Sequence, residues 1–123
     1  MRNKFNTKLY LKPEQHRQFR LFMMNECNYL VFEDGLEEAV RLSLGMCENK
    51  KFREQFLELS PPSTGADEGA KDYIYWLDSG FKQPIAEMCA IFRKEFGLST
   101  ITFGRNGFLY RAICYFVKTK SDA

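Results

Sequence analysis

A mainly helical fold carrying one short β-ribbon is what this 123-residue chain predicts. Three observations support it. Residues 6–11, "NTKLYL", alternate polar and apolar side chains with the period of a half-buried strand. Most of the remaining chain places its apolar residues three and four apart, the spacing of amphipathic helices. The order strand–helix–helix also recurs: residues 72–78, "DYIYWLD", form a second aromatic and β-branched strand, offset by 65 residues from Leu9 to Ile74.

The elements follow in order. After the strand Asn6–Leu11, Pro13 suits the first position of a helix, where its missing N–H is not needed. That helix carries Phe19, Phe22 and Met23 and is expected to end near Glu26. A second helix runs from about Phe32 to Leu44, with Leu36, Ala39, Val40 and Leu44 as its stripe and Gly45 as its stop. A short third helix over 50–59 offers Phe52, Phe56 and Leu59. Residues 59–72, "LSPPSTGADEGAKD", hold two prolines and two glycines without periodicity and read as a linker. The division is therefore a first unit over 1–58, the linker over 59–72 and a divergent second unit over 73–123.

In the second unit the strand is expected to turn Ile74 and Trp76 inward and Tyr73, Tyr75 and Leu77 outward. Pro84 opens a helix whose stripe is Ile85, Met88, Ile91 and Phe92, and Gly97 ends it. Thr102 is placed to cap a last helix from about Gly104 to Val117, with Phe108, Leu109, Ala112, Ile113 and Phe116 inward.

Composition narrows the function. Hydrophobic residues are 45% and charged residues 28%, the balance of a globular domain. Twelve phenylalanines suggest a packed core with surface left for a partner. Net charge is only +2, but its distribution is uneven. Arg2, Lys4, Lys8, Lys12, Arg17 and Arg20 face a single acid, Glu14, at the start, and Arg105, Arg111, Lys118 and Lys120 crowd the end. A fold that joins the two ends makes one positive face. Cys27, Cys47, Cys89 and Cys114 lack CxxC spacing, and the one histidine, His16, completes no zinc site, so no metal or cofactor is expected. The cysteines read as free thiols in a reducing cytoplasm. No apolar run reaches membrane-spanning length and no signal-peptide core is evident.

A lone strand followed by two helices has two unpaired edges and needs a second copy. Two such units, within one chain or across a homodimer, can pair their strands antiparallel over four helices, leaving one ribbon face open. A ribbon of that kind fits the major groove of DNA.

On these residues the chain resembles the ribbon-helix-helix domains of the MetJ/Arc class. The likeness covers residues 5–45 through the strand, the Pro–acid helix start and "EEAVRLSL", and extends loosely over 72–117 through "YIYWL" and "FLYRAICYF". Two units in tandem are similar to relaxosome accessory proteins and regulators of conjugative plasmids. The resemblance implies a cytoplasmic, nucleoid-associated bacterial protein that binds double-stranded DNA as a homo-oligomer. It implies base contacts from Asn6, Lys8, Tyr10 and Lys12, joined by Tyr73 and Tyr75 of the second strand. It also implies phosphate contacts at the N-terminus of the second helix of a unit. Thr102, Gly104, Arg105 and Asn106 suit that role, with Arg2 and Lys4 adding charge, whereas Glu33, Asp34, Glu37 and Glu38 in the first unit oppose phosphate.

An antitoxin-like or adaptor module with a protein partner is the alternative, motivated by the acidic second helix, the aromatics and the amphipathic "KKFREQFLEL" at 50–59. Nothing resembles a nucleophile elbow, a phosphate loop or a metal cluster, so an enzyme is not expected. His16, in the first turn of the first helix, is expected at the surface or near DNA.

Overall fold

The computed structural model describes residues 3–59 and 69–121. Its two strands, β1 (Lys4–Leu11) and β2 (Lys71–Asp78), pair antiparallel within the one chain, with Lys4 opposite Asp78, Thr7 opposite Tyr75 and Leu11 opposite Lys71. Both are longer than the alternation alone suggests, and Lys71 and Asp72, assigned to the linker on composition, belong to β2. Residues 60–68 of that linker lie outside the described residues, as does Arg2.

α1 (Pro13–Leu21) begins at Pro13 as expected, with Glu14 in its first turn held by Arg17 at 2.8 Å. It ends in a wider π turn over Phe22–Glu26. Asn28 then takes a left-handed conformation (φ 62°), and the Tyr29 amide donates back to the Met23 carbonyl at 3.0 Å. Asparagine tolerates that region better than most residues. α2 (Phe32–Met46) buries Phe32, Leu36, Ala39, Val40 and Ser43. It runs through Gly45 and ends at Cys47 with right-handed geometry, so Gly45 is not its stop. α3 (Lys50–Leu57) starts at Asn49, whose side chain accepts from the amides of Lys51 and Phe52 and so supplies two otherwise orphaned donors with an acceptor.

α4 (Lys82–Phe96) starts two residues before Pro84 and closes at Gly97 in the left-handed conformation (φ 66°), the glycine stop read from the sequence. α5 (Arg105–Ser121) extends beyond Val117. Before it, residues 99–103 make a tight turn in which the Phe103 amide donates to the Ser99 carbonyl at 2.9 Å.

α2 and α5 pack on each other beneath the ribbon. The core joins Leu9 and Leu11 of β1, Leu77 of β2, Leu36 and Val40 of α2, and Phe108, Leu109, Ile113 and Phe116 of α5. Phe56, Phe92, Phe103, Phe108 and Phe116 are fully buried, so the phenylalanine excess fills the interior. Phe56 meets Phe92 and Phe108 at 5.7 and 5.4 Å, and Phe92 stacks on Phe103 at 4.5 Å. Phe52 and Phe56 of the amphipathic 50–59 segment are spent on this packing, with Phe52 edge-on to Tyr115. Arg53 ties α3 to α4 through Glu95 at 2.7 Å and also donates to the Cys47 carbonyl. No helix among the described residues is long and apolar enough to cross a membrane.

Candidate nucleic-acid interface

The two faces of the ribbon are set by the pleat. Along β1, Phe5, Thr7, Leu9 and Leu11 are buried and Lys4, Asn6, Lys8 and Tyr10 are exposed. Along β2 the order is the reverse of the expectation. Tyr73, Tyr75 and Leu77 lie on the helix side, while Ile74 and Trp76 face out at 57% and 50% exposure. The reason is register. Aligning Leu9 with Ile74 sets the two strands one residue out of phase, and a one-residue slip exchanges every inward side chain for an outward one. Asp72 and Asp78 share parity with Ile74 and Trp76, and that shared parity was the available signal, because two aspartates do not belong on a core face.

Tyr73 and Tyr75 therefore do not reach the open face. They hold His16, which is buried rather than at the surface. Its ring stacks on Tyr73 at 3.6 Å, nearly parallel, and its Nε2 is hydrogen-bonded to the Tyr75 hydroxyl. Phe32 closes the cluster 5.0 Å from Tyr75. Burial, helped by the Arg20 charge, pushes the His16 pKa down, and burial pushes the Tyr75 hydroxyl up to about 12. The four cysteines are unpaired thiols, and burial raises Cys47 to about 12 and Cys89 and Cys114 to about 11.

The outer edges of the ribbon are covered by helix N-termini, and the two differ in charge. Beside β1 stands the start of α5. Asn106 accepts the Tyr10 amide at 2.7 Å, Arg105 reaches the Asn6 carbonyl at 3.4 Å, and the Arg105 guanidinium lies 5.1 Å over the Phe5 ring. Beside β2 stands the start of α2, where Glu33 accepts the Trp76 amide at 2.8 Å and Glu37 the Asp78 amide at 2.7 Å. These contacts fill backbone groups that an exposed edge would offer to another strand.

The consequence for the predicted site is direct. In sequence, the basic strand and the better phosphate anchor lie in different halves. In the structure, the α5 N-terminus sits against β1, so Asn6, Thr7, Lys8, Arg105 and Asn106 line one shallow depression. Lys4, Tyr10 and Lys12 extend the same side, Lys12 in extended backbone just before α1. Two members play other parts. The Thr102 hydroxyl is engaged with Ser99, accepting its amide at 2.9 Å, and does not cap α5. Gly104 leaves room for the Thr100 carbonyl, since a Cβ there would sit 2.9 Å from that oxygen. The β2 side is acidic, with Glu33, Glu37, Asp72 and Asp78, and Asp72 lies 4.0 Å from the Lys8 ammonium.

Among the described residues no group of histidine, cysteine, aspartate and glutamate is placed to hold a metal ion. Comparison with protein-family models, with curated proteins and with solved structures finds no match to this chain.

Proposed function

We propose that this is a sequence-specific double-stranded DNA-binding protein, a tandem ribbon-helix-helix unit that reads the major groove with its open ribbon face. The observation that carries the reading is the meeting of Asn6, Lys8 and Tyr10 with Arg105 and Asn106 on one side of a two-stranded ribbon. Asparagine pairs with adenine and lysine donates to guanine O6 and N7. Arg105, exposed at a helix start, supplies the phosphate contact. The role this fits is regulation of transcription, or service in a relaxosome, on a bacterial plasmid or other mobile element, in the cytoplasm.

Selection of bound duplexes from a random pool tests the reading. An asymmetric consensus is expected, bound tightly and weakened steeply by salt as counterions are released. The double substitution Lys8→Ala, Tyr10→Ala removes the sequence preference. Unchanged site selection by that variant would refute the ribbon assignment.

A second reading, a protein-interaction module, is favoured by one place. Leu30 and Val31, 92% and 48% exposed, precede the acidic start of α2 at Glu33 and Asp34. Stoichiometric capture of a protein through Leu30, with no duplex selected, supports this second reading against the first.

A further inference from the structure

We propose that Ile74 and Trp76 recognise the C5-methyl groups of thymines, so that the two strands of the ribbon read two chemically different halves of one site. The inference rests on the DNA reading above. The open face is divided lengthwise. β1 contributes Lys4, Asn6, Lys8 and Tyr10, all capable of hydrogen bonding; β2 contributes Ile74 and Trp76 between Asp72 and Asp78. Across the ladder Lys8 stands opposite Ile74 and Asn6 opposite Trp76. The apolar pair thus occupies the middle of the face, where a ribbon in the groove comes nearest to base edges.

The major-groove edges of the four base pairs offer donors, acceptors and one apolar group, the thymine methyl. Isoleucine can gain only from that last group, and the tryptophan ring packs its apolar face on the same methyl while its Nε1–H remains a donor. The flanking aspartates accept hydrogen bonds; of the two donors in the groove, the cytosine and adenine amino groups, carboxylates pair with the cytosine one. A pyrimidine-rich strand under β2 therefore complements purines under Asn6 and Lys8. Two apolar side chains hemmed in by charged neighbours are far short of the roughly 800 Å² per partner of a standard protein interface, whereas they match the size of one or two methyl groups.

The test uses the full chain and the duplex that it selects. Each thymine is replaced in turn by deoxyuridine, which removes the methyl and nothing else. Replacement in one half of the site lowers affinity about three- to fivefold per methyl, the effect of losing one buried carbon. Ile74→Ala loses this sensitivity, Ile74→Val keeps it, and Asn6→Ala keeps it while relaxing purine preference; thermal melting confirms that each variant is folded. Selection of a duplex that tolerates every uracil would overturn the inference and leave the DNA reading standing. Failure to select any duplex, with a protein captured instead, would overturn both.

Discussion

The Asn106 side-chain oxygen accepts the Tyr10 backbone amide at 2.7 Å, joining residues that are 96 positions apart. One side chain thus supplies an acceptor for the outer edge of β1 and fixes the start of α5 against it. Asn106→Ala leaves that amide to solvent and loosens the packing of Arg105 against β1. The expected loss is about 1 kcal/mol, the net contribution of one such bond, measured by denaturant unfolding. Hydrogen exchange at Tyr10 should accelerate in the variant; an unchanged rate would count against the assigned bond.

Thr7 is buried in β1, and among the described residues its hydroxyl has no hydrogen-bond partner. Thr7→Val keeps the branched shape that strands favour and removes an unsatisfied polar group. The variant should gain about 1 kcal/mol in stability, seen as a raised Tm. A lowered Tm would mean that the hydroxyl is satisfied.

Phe56 sits between Phe92 and Phe108 and joins α3 to the core. Phe56→Ala removes about 3–5 kcal/mol by transfer loss and cavity formation, a large share of the stability of a domain this size. Calorimetry should show a strongly lowered or absent transition, with Phe56→Leu intermediate.

His16 gives a pH dependence of definite sign. Its folded-state pKa lies below the ordinary value of 6.5 because it is buried. The unfolded chain therefore binds the proton first as pH falls, and stability declines below about pH 6.5 until the folded-state pKa is reached. Glu14 and Glu95, both held low by arginine partners, lose their contributions only at more acid pH. Urea unfolding at pH 7.5 and 5.5 should show the decline in the native chain and a flatter profile in His16→Phe.

The charge difference between the ribbon edges yields opposite effects on DNA affinity, on the DNA reading proposed above. Arg105→Ala should reduce the slope of log K against log salt by about one. Glu33→Gln keeps an acceptor for the Trp76 amide while removing a negative charge, and should raise affinity. Electrophoretic or fluorescence titrations over a salt series measure both.

The sequence carried the helices well because their stripes are long and their stops are chemical. Pro13 and Gly97 act where local chemistry places them. Gly45 does not, since α2 runs through it to Met46 and ends on right-handed backbone at Cys47. The faces of β2 were harder to read. Tyrosine, isoleucine and tryptophan suit either side of a sheet, and only the parity of Asp72 and Asp78 distinguishes them. His16 is buried, not at the surface, because its partners Tyr73 and Tyr75 come from the second strand, far along the chain. The joining of Lys8 to Arg105 and Asn106 depends on which strand edge α5 covers, which no local pattern records.

Both strands of the ribbon belong to one polypeptide. On the DNA reading proposed above, the ribbon face forms within a single chain, without an encounter between subunits. A single substitution also alters one half of the surface alone. In a symmetric dimer the same change would appear in both halves at once. On that reading, selection can retune the polar row of β1 and the apolar row of β2 independently, and targets without internal symmetry become accessible by single steps.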